Sequence, residues 1–216
     1  MTETPLTARR AQTRDRLMDA AITAFAEKGV LGSPVEEICE RAGFTRGAFY
    51  SNFNSKDELC VAVLRRKGEE VLRAATQATD VVPRVHIEPA SAEAVIRAAV
   101  DVFQAGHPAD PEWLMARMEL RLYALRNPSV REALQSAERQ LGELLTQAIV
   151  ATATRVGARF AIPADRIFTL LDAQYEALFR QATMADRDLA GWTDQMATLL
   201  RAIVILPDGD GPASAS

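Results

Sequence analysis

Histidine, cysteine and lysine are scarce in this chain, and each scarcity closes off a class of function. His86 and His107 are the only histidines and neither has a neighbour at ligand spacing, so no metal centre is expected. Cys39 and Cys60 both fall inside apolar helical patterns, which makes them buried thiols rather than a disulfide or redox pair. GxSxG, HExxH and a glycine-rich phosphate loop are all missing, so no catalytic residue and no cofactor is assigned and the chain is not read as an enzyme. Carboxylates such as Glu69 and Glu70 read as solvated helix faces. No apolar run reaches the roughly 18 residues of a membrane span. The opening MTETPLTARRAQTRDR lacks the apolar stretch of a signal peptide, so the expectation is a cytoplasmic protein with no membrane partner. Lysine occurs only at Lys28, Lys56 and Lys67, which leaves the basic charge almost entirely to arginine.

What is present is apolar patterning and an uneven charge. With 216 residues and 48% hydrophobic content, the chain can bury one sizeable core, or one core and a small appended module. The net charge of -4 hides an asymmetry: residues 1–67 carry 11 Lys+Arg against 9 Asp+Glu, leaving 14 against 20 for the remainder. An excess this small does not identify a partner. The clustering of Arg9, Arg10, Arg14 and Arg16 is more informative.

Periodicity predicts helix nearly everywhere and strand nowhere. Leu17, Ala20, Ala21, Ala24 and Phe25 recur at helical spacing in a first helix that Gly29 ends. In SPVEEICERAG, Ser33 reads as an N-cap, Pro34 as the first helical position and Glu36 as the residue folding back on the cap, with Val35, Ile38, Cys39 and Ala42 as the apolar stripe and Gly43 as the stop. Thr45 caps a short third helix, and SKDEL repeats the capping box with Ser55 and Glu58, opening a fourth helix to about Ala75. A loop containing Pro83 and Pro89 follows, then helices over about 91–105, 111–126, 128–156, 164–185 and 188–205. The resulting expectation is an all-α chain of about nine helices, with a flexible arm over 1–12, a helix-turn-helix over 13–60, a larger helical domain over 61–206 and a disordered tail over 207–216.

The segment TRGAFYSNF carries the functional signal. At 100° per residue Phe49 and Phe53 share one face and pack inward, while Gly47, Ala48 and Ser51 leave the opposite face almost bare. A bare face lets a helix axis approach a major groove about 12 Å wide. Arg46 projects from the first turn, where recognition helices meet bases, and Tyr50 and Asn52 flank the smooth face. Lys56, at a helix N-terminus, sits on the unfavourable side of the helix dipole, which suits a phosphate partner.

From Ser33 to Leu59 the sequence SPVEEICERAGFTRGAFYSNFNSKDEL resembles the DNA-binding region of tetracycline-repressor-type (TetR/AcrR) transcriptional regulators. The matching features are the short helix ending in Ala-Gly, Thr45-Arg46 before Gly47, Phe49-Tyr50, Phe53, and Ser55 to Leu59; Asn52 stands where many members carry histidine. The resemblance implies that Thr45, Arg46, Gly47, Tyr50, Asn52 and Lys56 touch double-stranded DNA and that Ser33 reaches phosphate, with Arg46 reading a base. Ser51 joins this set by geometry alone.

The larger half carries two stripes at close to 3.5 spacing, one with Ile167, Leu171, Gln174 and Leu178, the other with Leu189, Trp192, Met196, Leu199 and Ile203. They pack either within the monomer or across a homodimer. The resemblance points to a four-helix dimer interface on a palindromic operator, and to a small-molecule effector, of a chemistry the sequence does not name, that releases a repressor. Phe103, Trp113, Met115, Met118, Tyr123, Tyr175 and Phe179 are the candidates for that effector's pocket, or ordinary core. The competing reading is a helical small-molecule- or protein-binding module without DNA binding.

Overall fold

The computed structural model describes residues 5–81, 92–107, 110–155, 157–188 and 191–205. Among these the chain forms nine helices: α1 (Pro5–Lys28), α2 (Val35–Ala42), α3 (Arg46–Tyr50), α4 (Lys56–Val81), α5 (Ala92–Gly106), α6 (Pro111–Ala124), α7 (Pro128–Arg155), α8 (Ala164–Met184) and α9 (Trp192–Ile203). Two residues of β1 (Arg159–Phe160) pair antiparallel with β2 (Val204–Ile205), a ladder too short for any alternation to announce. No described helix is long and apolar enough to cross a membrane. The helix at Pro5 corrects the expected arm, because residues 5–12 belong to α1. The segment with Pro83 and Pro89 and the tail 207–216 lie outside the described residues.

Two compact units result, one from residues 1–69 and 109–138, the other from 70–108 and 139–216. This differs from a division at residue 60, because α6 packs on α1 and so belongs with the N-terminal helices. The core of the first unit joins Leu17, Ala21 and Phe25 of α1, Ile38 and Cys39 of α2, Phe49 and Phe53, Leu59 and Val63 of α4, and Trp113 and Leu120 of α6. Cys39 and Cys60 are free and buried within it, and burial pushes the Cys60 thiol up to about 12.

The turn between α2 and α3 is fixed by Gly43, whose φ of +71° is the left-handed conformation that glycine adopts without a Cβ penalty. Its N–H donates to the Glu40 carbonyl at 3.0 Å and the Phe44 N–H to the Cys39 carbonyl at 2.8 Å, so the last carbonyls of α2 are satisfied within the turn. The capping box expected at Ser33 does not form. Pro34 precedes α2 without a side-chain cap, and the Ser33 hydroxyl is turned inward to the carbonyls of Ala24 (3.0 Å) and Gly29 (2.8 Å), where it holds the end of α1 against the following loop. At α4, Ser55 does cap, accepting from the Glu58 N–H at 3.1 Å, but Glu58 reaches one residue further back, to the Asn54 N–H at 2.8 Å.

In the second unit, α9 packs on α5 and α8 around Phe103, Tyr175 and Trp192. His107 lies buried there, stacked on Phe103 with ring centroids 4.0 Å apart, and its two ring nitrogens face the Phe103 carbonyl (3.1 Å) and the Asp172 carboxylate (3.0 Å).

Two stability outcomes follow. Ser33→Ala leaves two buried carbonyls without the hydroxyl and lowers the unfolding free energy by about 1–3 kcal/mol in a denaturant titration. Asp172→Ala removes the carboxylate that His107 Nε2 faces at 3.0 Å and lowers the unfolding free energy by about 1–3 kcal/mol in the same measurement.

Candidate nucleic-acid interface

Five residues are too few for a helix to stand alone in water, so α3 is held by what surrounds it. Thr45 caps it, its hydroxyl oxygen accepting from the Ala48 N–H at 3.2 Å. Phe49 and Phe53 are buried beneath it with ring centroids 5.7 Å apart, and the Phe53 N–H donates to the Phe49 carbonyl at 2.8 Å. Phe53 lies just past the helix, yet its ring shares the inward face that the four-residue spacing requires. Arginines of α1 close the far end: Arg10 donates to the Ser51 carbonyl and Arg14 to the Asn52 carbonyl, and the Arg14 guanidinium lies 4.2 Å from the centroid of the Phe53 ring. Arg16 stacks similarly on Phe44 at 4.8 Å. The early arginine cluster thus acts largely within the fold.

Outward, the face is as bare as the sequence implies. Thr45, Arg46, Gly47, Tyr50 and Ser51 are exposed. A Cβ placed on Gly47 meets only the Thr45 Oγ1, at 3.7 Å, which is ordinary contact, so nothing in the protein itself calls for glycine there. Arg46 stands 61% exposed and pairs with Glu36 Oε1 at 3.0 Å, with the Tyr50 ring centroid 5.9 Å away. Its guanidinium is held above the ordinary arginine range, first by the Tyr50 hydroxyl and then by Glu36.

Three of the expected contact residues are engaged elsewhere. Ser33 is wholly buried in the bonds described above, so it has no surface to offer a phosphate. Lys56 donates to the carbonyls of Val30 (2.8 Å) and Ser33 (3.3 Å), which resolves its unfavourable position on the helix dipole without any phosphate. Asn52 is buried, its amide donating to the Ala48 carbonyl at 2.8 Å and to Ser51 Oγ at 3.2 Å. Sequence reasoning passed over Glu36 as a surface residue; the capping box drew attention to the wrong partner.

The seven pocket candidates are divided between the two units. Trp113, Met115, Met118 and Tyr123 sit on α6 in the first unit, where Trp113 is core and the Tyr123 hydroxyl donates to Asp57 at 2.6 Å. Phe103, Tyr175 and Phe179 are buried in the second unit, Phe103 and Tyr175 edge to face at 6.0 Å. None of the seven lines the cleft of about 390 Å³ formed by Leu178, Gln181, Ala182, Arg187, Asp188, Trp192 and Gln195. Of the dimer candidates, Ile167, Leu171, Leu178, Trp192, Met196 and Ile203 are buried within the single chain, so those stripes are core; Gln174 and Leu199 are half-buried, and Leu189 lies outside the described residues.

Comparison with known proteins agrees with this geometry. The family model described as bacterial regulatory proteins, tetR family, matches residues 17–63. The HTH-type transcriptional regulator SrpR of Pseudomonas putida is 38% identical over 90 residues, 42% of this chain and 39% of that protein. A second Pseudomonas putida regulator is matched over 62% of its length, so the chain spans about two-fifths to three-fifths of these relatives. The HTH-type transcriptional repressor AcnR of Corynebacterium diphtheriae is 25% identical over 176 residues, 81% of this chain and 84% of that one. Among solved structures, the transcriptional regulator FadR of Bacillus subtilis in complex with stearoyl-CoA superposes with a TM-score of 0.68 at 18% identity, covering 86% of this chain and 96% of that chain, which is a likeness of fold. Residues 17–63 thus carry a helix-turn-helix that is similar to the one of the bacterial regulatory proteins of the tetR family.

Proposed function

We propose that this protein is a cytoplasmic, ligand-responsive transcriptional repressor that binds a palindromic operator as a homodimer and is released by a small molecule. The observation that carries the reading is the exposed edge of α3, where Gly47 has space for a Cβ and none of the fold's own demands to meet. Glycine is disfavoured in a helix, and a smooth face is what close approach of backbone to a major groove requires. Thr45, Gly47, Tyr50 and Ser51 then position the helix on the backbone, and Arg46 reads guanine.

One recognition helix supplies few contacts, so two half-sites about 34–36 Å apart, or a multiple, are expected, read by a two-fold pair. The outward faces of α8 and α9 suit that pairing better than the stripes chosen from sequence. Ala173, Gln174, Ala177 and Met184 on α8, with Thr198, Leu199 and Ala202 on α9, are at least partly exposed; the alanines allow close helix approach and Met184 is 82% exposed. The effector is assigned to the second unit. Its cleft of about 390 Å³ falls in the size range of small-molecule sites and combines Trp192 and Leu178 with Arg187 and two glutamines. Effector and operator then oppose each other with a coupling of about 1–3 kcal/mol, equal in both directions.

Selection of bound fragments from random duplex DNA tests the reading and returns a palindrome; recovery of no enriched sequence would count against it. On the selected site, affinity falls steeply with log salt, and Arg46→Ala weakens binding about tenfold or more while flattening the preference at one position per half-site. Gly47→Ala separates fold from function: it raises stability by about 0.4–1 kcal/mol in thermal unfolding yet weakens operator binding in the same titration. Ala177→Arg, on the outer face of α8, leaves the helical circular dichroism intact and converts the dimer to a monomer in light scattering.

A further inference from the structure

Glu36 lies in the first turn of α2, and its neighbour Glu37 is turned to Lys28 (2.7 Å) and Arg41 (2.9 Å) on the other side. Glu36 instead places Oε1 3.0 Å from Arg46 Nη1, with the two side chains 54% and 61% exposed. An exposed pair of this kind adds little to stability, so the fold has small use for it. Its position is nonetheless specific, because it sets a carboxylate beside the arginine on the side of the molecule that α3 leaves open.

The two groups have opposite hydrogen-bonding character. A guanidinium only donates, and in the major groove it matches the O6 and N7 acceptors of guanine. A carboxylate only accepts, and the matching donor in the groove is the N4 amino group of cytosine. A carboxylate also repels phosphates, which lowers affinity for any duplex that cannot offer such a donor.

We propose that Glu36 is a specificity-determining residue that accepts from a cytosine amino group beside the guanine read by Arg46. The pair with Arg46 holds the carboxylate ready in the free protein and keeps its charge compensated as water leaves the interface. Glu36 therefore works in two directions, adding a base preference and penalising sequences without it. This inference rests on the DNA-reading function proposed above.

The test applies fragment selection and fluorescence anisotropy to the full-length wild type, Glu36→Gln and Glu36→Ala, with a scrambled duplex as the non-specific probe and circular dichroism to verify the fold. Glutamine pairs with adenine through its amide, so Glu36→Gln is expected to move one position per half-site from cytosine to adenine. Glu36→Ala is expected to lose the preference there while keeping the guanine. Both variants bind the scrambled duplex about threefold tighter or more, because a charge that repels phosphate is gone, and the ratio of specific to non-specific affinity drops about tenfold. Unchanged base preferences at every position, together with unchanged scrambled-duplex affinity in Glu36→Gln, would overturn the proposal and leave the operator-binding function standing. If the wild type itself enriches no sequence, the DNA-reading function fails and the role of Glu36 falls with it.

Discussion

The seating of Phe49 and Phe53 in the first unit's core is the constraint on which the rest of the interface depends. Both rings are buried and packed against α1, α2 and α4 in one cluster, which fixes the rotation of α3 about its axis. With that rotation set, Gly47 and Ser51 have nowhere to face but outward. The Gly43 turn supplies the other half of the constraint, because its left-handed backbone ends α2 and starts α3 three residues later. A Cβ at 47 would leave this architecture standing, since it meets only the Thr45 Oγ1 at 3.7 Å.

Holding so short a helix absorbs polar groups that would otherwise face solvent. Arg10 and Arg14 tie down the carbonyls after α3, Asn52 bonds back to Ala48, and Lys56 bridges to the loop between α1 and α2. Thr45, Arg46, Gly47, Tyr50, Ser51 and Glu36 are among the residues that stay exposed. The position of α3 is therefore set by neighbouring donors committed to backbone acceptors, since an unsatisfied buried carbonyl costs more than a solvated donor gains.

Local signals were legible in the sequence, and long-range ones were not. Gly29 and Gly43 as stops, Thr45 and Ser55 as caps, and the inward phenylalanines all follow from neighbours within four residues, and the helix order follows from periodicity. Ser33 before proline has the same local signature whether it caps α2 or bonds Ala24 nine residues earlier, and only packing decides. Lys56 has its partner 26 residues away, beyond the reach of any motif. The stripes of α8 and α9 were ambiguous for a related reason: a helix that buries one face in its own core and one against a copy shows apolar residues for both, and the larger side chains turned out to fill the core. Trp113 and Tyr123 fall in the first unit because α6 packs on α1, a long-range contact that chain order does not announce.

The placement of α6 bears on how the first turn of α4 is held. Tyr123 on α6 donates to Asp57, and burial followed by this bond holds its phenol well above the usual tyrosine range, so the hydroxyl stays a donor throughout the physiological range. Asp57 adjoins Lys56, whose ammonium grips the carbonyls of Val30 and Ser33 just before α2. The first turn of α4 is thus held from both sides, by α6 through one residue and by the α1–α2 loop through the next. Two adjacent residues of opposite charge, at one helix start, tie α4 both to α6 and to the loop before α2.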